Sequence, residues 1–139
     1  MTTDLAVPAT EASRADLAAL LLRVVTGGLF LFHGLFKLVV LSPAGTAAFF
    51  DSIGLPAPLA YLVIALEVVG GVMLLAGVWT RWVALAGVPL LLSTIVTVHG
   101  AAGFGFSNAG GGWEYPAFWA LVMGAVALVG DGAYALARR

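Results

Sequence analysis

The sequence predicts an all-α integral membrane protein whose single domain is a bundle of four transmembrane helices. Hydrophobic residues make up 62% of the 139 residues and charged residues 9%, and the mean hydropathy is +1.08. Because a soluble domain carries about 25% charged residues, a surface this poor in charge is expected to contact lipid. Four apolar segments, each close to the roughly 20 residues that span a bilayer, supply the helices.

The first transmembrane helix is predicted over residues 17–41, behind a polar tail at residues 1–16. A secretory signal peptide would have an apolar region of about 7–15 residues behind a basic start. This segment is longer and its leader is acidic, so we expect a membrane span. Prolines and glycines punctuate the following loop, at residues 42–57. Its phenylalanines indicate that it lies on the membrane surface or folds back over the bundle.

Three further apolar segments complete the predicted transmembrane domain, which covers residues 17–131. Pro89 is expected to kink the third helix. A glycine-rich connector at residues 101–112 lacks the lysine and the preceding strand of a phosphate-binding loop. A second tail covers residues 132–139. The predicted helices lie at about 17–41, 58–79, 82–100 and 113–130.

Positively charged residues concentrate on one side of the predicted membrane arrangement. Four spans place both termini on the same side, and the only basic residue near the other side is Lys37. Because basic residues stay in the cytoplasm, both tails are predicted to be cytoplasmic, with the loops at 42–57 and 101–112 facing outward. The arginines that carry this prediction are Arg14, Arg81, Arg138 and Arg139.

Composition excludes several classes of chemistry. The chain has no cysteine, so it forms no disulfide, thiolate metal site or iron–sulfur cluster and cannot exchange thiols. Its net charge is −1 and it has no basic stretch, which argues against nucleic acid as a partner. The lipid bilayer is the predicted partner of most of the surface.

Five ionisable side chains are predicted to converge in the outer half of the bundle. With a helix rise of about 1.5 Å per residue, Lys37 lies about 6 Å, His33 about 12 Å and Glu67 about 13 Å inside the outer boundary. The third helix ends and the fourth begins on that side, each with polar residues. Ionisable groups within a membrane are rare and functional by default. The predicted ligand-binding residues are His33, Lys37, Glu67, His99, Glu114 and Tyr115.

Arg23 alone among the intramembrane ionisable residues belongs to the inner half. We expect its side chain to extend toward the cytoplasm or to pair with backbone carbonyls. Small residues share its face of the first helix, and paired glycines follow Glu67 on the second, where they allow backbones to approach closely. The predicted structural residues are Arg23, Gly27, Gly34, Gly70, Gly71 and Arg81.

Several interpretations of the cluster stay open. Glu67 paired with Lys37 or His33 would lock two helices as a buried ion pair, without a ligand. Two imidazoles beside carboxylates and an ammonium would suit a quinone headgroup, because histidine both donates hydrogen bonds and relays protons. Haem between His33 and His99 is less favoured, since their depths differ by roughly 9 Å. A metal ion held by four residues is a minor option, because the ligand types are acceptable but their spacing carries no recognised metal signature. These residues are His33, His99, Glu67 and Glu114. A small-molecule carrier is the last alternative, for which four spans are few unless the protein forms a homo-oligomer.

Short motifs in a specific order carry a family resemblance: LLLRVVTGGLFLFHGLFKL, FFDSIGLPAP, ALEVVGGVMLLAGVWTR, TVHG and GGWEYP. From Leu20 to Tyr134 the chain resembles the DoxX family of small four-helix bacterial membrane proteins. The positions that match the family pattern are Arg23, His33, Gly34, Lys37, Glu67, His99, Glu114 and Tyr115.

The resemblance implies a multi-pass protein of the bacterial inner membrane that is at most the membrane subunit of an oxidoreductase. Founding members are similar to small subunits of a quinol oxidase and of a thiosulfate:quinone oxidoreductase. Without cysteine, this chain would need a redox partner protein or a non-covalent cofactor such as quinone to move electrons. We expect His33 and Glu67 at the floor of the pocket, Lys37 balancing charge, and His99 with Glu114 at the mouth.

Overall fold

A computed structural model describes residues 12–137, in which all regular structure is helical. Three helices are long and apolar enough to cross a membrane: Arg14–Val40, Leu59–Ala76 and Thr80–Ala102. A fourth apolar helix is shorter, with 16 residues. Most of the polar tail at residues 1–16 lies outside the described residues, as do Arg138 and Arg139. The α-helices are α1 (Arg14–Leu35), α2 (Pro43–Ser52), α3 (Leu59–Ala76), α4 (Thr80–Thr94) and α5 (Glu114–Val129).

The segment interpreted as a loop at residues 42–57 contains a helix, α2, so the described residues hold five α-helices rather than four. The hydroxyl of Ser42 accepts a hydrogen bond from the Gly45 amide at 3.1 Å and caps the helix. Pro43 occupies the first turn, where its missing N–H is harmless. The prolines and glycines that indicated a loop therefore lie largely at the ends of α2. Its inner face is buried through Thr46, Ala47 and Phe50.

The first helix begins at Arg14, three residues earlier than predicted, because Ser13 and Asp16 form a reciprocal cap. The Ser13 hydroxyl accepts from the Asp16 amide at 3.1 Å, and the Asp16 carboxylate accepts from the Ser13 amide at 3.2 Å. This arrangement satisfies two amides that a helix start would leave unpaired. The cap therefore extends α1 into the segment assigned to the tail.

Helices α1 and α3 pack with their backbones close together, and glycines make this contact possible. A Cβ atom added to Gly71 would lie 2.6 Å from the Leu31 amide nitrogen, and one added to Gly27 would lie 2.8 Å from the Leu74 Cβ. At Gly34 an added Cβ would lie 2.8 Å from the Val68 nitrogen. These approaches leave no room for a side chain, as the small-residue face predicted.

The second pair of helices, α4 and α5, packs against the first around an apolar core, and a smaller apolar cluster lies between α2 and α3. Phe30 of α1 is fully buried and meets Trp119 of α5 edge to face, with ring centroids 5.4 Å apart. Large apolar side chains cover the outside as well; Val96 is 84% exposed and Leu128 is 87% exposed. An apolar exterior around an apolar core is the surface of a protein that contacts the lipid bilayer.

Backbone hydrogen bonds join the C-terminal segment to the start of α1 and to the end of α3. The Ala133 amide donates to the Asp16 carbonyl at 3.0 Å, and the Leu136 amide donates to the Ala76 carbonyl at 3.0 Å. We call this side of the bundle, with the α3–α4 turn, the terminal end. The opposite side, with α2 and the loop at residues 103–113, is the loop end.

Candidate functional site

A cavity of about 420 Å³ opens between the helices toward the loop end. Its volume falls in the range of small-molecule sites, about 300–1,000 Å³. All five α-helices contribute to the wall, which is mostly aliphatic and aromatic. The cavity brings together five of the six residues predicted to bind a ligand: His33, Lys37, Glu67, His99 and Tyr115.

Lys37 and Glu67 form an ion pair in the wall of this cavity. The ammonium nitrogen of Lys37 lies 2.8 Å and 2.7 Å from the two carboxylate oxygens of Glu67, and the side chains are 20% and 8% exposed. The sequence left Lys37 and His33 as alternative partners for this carboxylate, and the structure pairs it with Lys37. Because the two charges compensate each other, the cavity is suited to an uncharged ligand.

Two of the predicted ligand-binding residues lie on π-helical turns. Lys37 belongs to the turn Phe36–Val40, and His99 ends the turn Ile95–His99. Turns of this kind are rare and occur frequently at functional sites. The wider turn disrupts the regular hydrogen bonds, and the Thr46 hydroxyl on α2 approaches the Lys37 carbonyl at 3.4 Å. Helix α2 thus supports the segment that carries the ion pair.

His33 stands in the cavity among aromatic rings. Its imidazole centroid lies 5.3 Å from that of Trp119 and 5.6 Å from that of Phe32. Trp119 in turn lies 5.8 Å from Tyr115. Within residues 12–137 the His33 ring makes no hydrogen bond, so both of its nitrogens are available to a ligand.

Trp119 is a wall residue that the sequence analysis did not identify. It is 5% exposed, and its indole N–H has no acceptor among the described residues. Its position in the sequence could have identified it, because it lies in the second turn of α5 and not at a helix end. The other tryptophans lie at helix ends, as in an aromatic belt. A tryptophan away from that belt needs a separate explanation.

His99 lines the cavity from the end of the π-helical turn Ile95–His99. After the π-helical turn, the backbone tightens into a 3₁₀ turn over Gly100–Ala102. The ring nitrogen Nδ1 lies 2.7 Å from the Gly111 carbonyl oxygen.

Glu114 was expected at the mouth of the pocket, but it is not among the residues that line the cavity. Its carboxylate accepts a hydrogen bond from the Phe106 amide at 2.6 Å. The side chain turns back because it begins α5, beside a loop whose amides need acceptors. Glu114 therefore holds the loop that carries Gly111.

Arg23 lies at the terminal end, away from the cavity, and is 1% exposed. Its guanidinium donates to the carbonyls of Leu74 and Leu75 at 2.8 Å each and to that of Ala133 at 3.1 Å. Pairing with backbone carbonyls was one of the two expectations for this residue, and it is confirmed. Arg81, also assigned a structural role, is exposed at the start of α4.

Among residues 12–137, no group of three or more histidine, aspartate or glutamate side chains is arranged to hold a metal ion. The cavity instead combines an internally neutralised ion pair, two imidazoles and aromatic rings with an aliphatic wall. Such a site can form hydrogen bonds to a flat, polar headgroup and bury an apolar tail.

Comparison with known proteins gives a family and one curated relative. A family model described as DoxX matches residues 18–100, a range that includes His33, Lys37, Glu67 and His99. The Bacillus subtilis protein named "Putative oxidoreductase CatD" is 43% identical over 89 residues, which are 64% of this chain. The matched part is 65% of that relative, slightly less than two thirds of its length. No solved structure matches the chain.

Proposed function

This chain belongs to the DoxX family, and from that premise we propose that it binds a quinone or a similar small redox molecule for a partner oxidoreductase. The observation that carries the proposal is the cavity, in which His33 and His99 stand beside the neutralised Lys37–Glu67 pair. A quinone headgroup is uncharged and planar, and its carbonyl oxygens need hydrogen-bond donors. The imidazole of His33, which makes no hydrogen bond within residues 12–137, supplies a donor and a proton relay near neutral pH.

The shape of the site also supports a ligand with an apolar tail. On α2 and α3 the wall is aliphatic and aromatic, through residues such as Phe50, Leu59 and Leu62. Leu62 is also 64% exposed on the outside of the bundle, so the apolar wall continues onto the surface that faces lipid. A tail leaving the cavity along this surface would enter the bilayer without crossing water.

The proposal includes a membrane arrangement with α5 as a fourth span. Helix α5 packs on α4 and is about 24 Å long by helix rise, a few ångströms short of the hydrocarbon core, which local thinning of the bilayer accommodates. With four spans both ends of the chain share one side, as the contacts at the terminal end support. Arg14 and Arg81 lie at the terminal end. Because basic residues stay in the cytoplasm, the terminal end would lie on the cytoplasmic side of the inner membrane.

A partner oxidoreductase is proposed for two reasons. The relative from Bacillus subtilis carries an oxidoreductase name, which associates this family with electron transfer. The chain itself has no cysteine, and its cavity has no group that changes oxidation state on its own. It would hold the redox molecule while a second protein supplies or accepts the electrons.

The test begins with the full chain purified in mild detergent. Its organic extract is analysed by mass spectrometry for quinone and haem, and the protein is then titrated with decylubiquinone by calorimetry. We expect near-stoichiometric quinone and saturable binding, both lost in His33→Ala and both kept in Arg81→Met, which changes an exposed residue far from the cavity. An extract with only phospholipid, together with no binding in the titration, would contradict the proposal.

A structural anchor subunit is the second candidate, and the Lys37–Glu67 pair favours it. A pair with both carboxylate oxygens engaged joins α1 to α3 without any ligand. An anchor would lose stability or partner retention in Glu67→Gln while binding no quinone at any concentration. The same titration therefore distinguishes the two functions.

A further inference from the structure

The two histidines of the cavity differ in what they offer a ligand. His99 donates from Nδ1 to the Gly111 carbonyl at 2.7 Å, because a carbonyl oxygen only accepts hydrogen bonds. In the neutral ring the proton therefore lies on Nδ1, and the other nitrogen, Nε2, is an acceptor. His33 makes no such contact in the described part of the chain, so its tautomer is free to change.

The loop at the loop end is built to hold this contact. Gly110 and Gly111 adopt positive φ angles of 87° and 70°, which place the Gly111 carbonyl against the His99 ring. The Gly111 amide donates to the Asn108 carbonyl at 2.8 Å, and the Glu114 carboxylate accepts from the Phe106 amide. The carbonyl is thus fixed by several hydrogen bonds, and it fixes the histidine in turn.

The Nε2 atom of His99 has no partner within residues 12–137 and is not among the buried unpaired atoms. It is therefore open on a residue that lines the cavity. Lys37 still has an N–H beyond its two bonds to Glu67, since an ammonium carries three donors. The cavity thus offers at least one fixed acceptor and at least one donor.

Resting on the proposed function, we infer that this cavity binds the reduced, hydroxyl-bearing form of the ligand in preference to the quinone, with His99 as the residue that selects it. A quinone carbonyl only accepts, so it would place its lone pairs against the lone pair of Nε2. A quinol hydroxyl donates to Nε2 and still accepts from a donor such as Lys37. Only His99 distinguishes the two forms, because Lys37 satisfies either of them.

The preference should equal about one hydrogen bond, or roughly tenfold in the dissociation constant. For a two-electron couple, tenfold tighter binding of the reduced form raises the midpoint potential of the bound ligand by about 30 mV. Both quantities are measurable on the purified protein. The reduced ligand is expected to bind more tightly, and the bound couple is expected to be easier to reduce.

Calorimetry under anaerobic conditions compares decylubiquinol with decylubiquinone. We expect roughly tenfold tighter binding of the quinol to the unaltered protein. His99→Leu should abolish the difference between the two forms. His33→Leu is the matched control: it should weaken both forms and keep their ratio, because its tautomer adapts to either.

The tautomer of His99 is measured separately by ¹⁵N NMR, on protein purified without a histidine tag. The chain has two histidines, so His33→Leu leaves the signals of His99 alone. We expect a proton on Nδ1. A proton on Nε2, equal affinity for the two forms, or an unchanged ratio in His99→Leu would overturn the inference and leave the proposed function intact. Failure of both forms to bind would overturn both.

Discussion

Replacing Arg23 by methionine should destabilise the protein more than any other single arginine substitution within residues 12–137. The guanidinium is 1% exposed and donates to three backbone carbonyls that belong to α3 and to the C-terminal segment. Leu74 and Leu75 lie in the last turn of α3, where carbonyls lack helical donors and a cation is favourable. Asp131 adds an electrostatic attraction. Methionine fills a similar volume and makes none of these contacts.

The expected loss can be worked from these contacts. Hydrogen bonds to a charged group contribute about 1.5–3 kcal/mol each, so three bonds at the lower limit give about 4.5 kcal/mol. The Leu74 carbonyl keeps a second donor, the Gly77 amide at 3.2 Å, and a buried methionine avoids the desolvation of a charge. We therefore expect Arg23→Met to lower the free energy of unfolding by about 3 kcal/mol.

The assay is unfolding by SDS in mixed micelles, followed by circular dichroism. Arg81→Met is the matched control, since Arg81 is exposed, and it should change the free energy of unfolding by less than about 0.5 kcal/mol. Arg23→Lys keeps the charge but has neither the length nor the planar fork to reach three carbonyls, so an intermediate loss is expected. An Arg23→Met protein as stable as the unaltered chain would refute this reasoning.

Two further predictions concern the contact between α1 and α3. Glu67→Gln should lower the free energy of unfolding by about 1–3 kcal/mol, less than for a fully buried pair because Lys37 is 20% exposed. Adding Lys37→Met should restore part of that loss, and strictly additive effects in the double-mutant cycle would show that the pair does not couple. Gly71→Ala should cost about 1–3 kcal/mol, since the new Cβ would lie 2.6 Å from the Leu31 nitrogen. Gly28→Ala, which meets nothing within 4 Å, should be neutral or mildly stabilising in the same assay; equal effects of the two alanines would argue against the glycine contact.

Much of the site was predictable because the relevant signals are local. Depth along an ideal helix placed His33 and Glu67 at similar levels, and both line the cavity. The same count placed Lys37 within reach of Glu67, and the two side chains form the ion pair. Helix rise is a property of the backbone alone, so it holds whatever the neighbouring helices do.

Glu114 and Trp119 show where that reasoning stops. Its depth in the membrane placed Glu114 near the cavity, but depth does not tell in which direction a side chain at the start of a helix points. The Glu114 carboxylate accepts a hydrogen bond from the Phe106 amide and therefore lies against the loop. Trp119 was missed because an apolar residue inside an apolar helix has no polar pattern to mark it. Only the packing of α5 against α1 brings its ring beside His33.

The amino-acid sequence by itself determined that this protein contacts lipid, that its regular structure is helical and which family it belongs to. Composition and hydropathy act residue by residue, and the motifs are short and contiguous, so neither requires knowledge of distant contacts. The tertiary structure decided the position of the cavity, the clamp between Arg23 and Ala133, which are 110 residues apart, and the contact between His99 and the Gly111 carbonyl. Each of these depends on a backbone carbonyl or a ring that another part of the chain delivers, and the order of residues in the sequence does not carry that geometry.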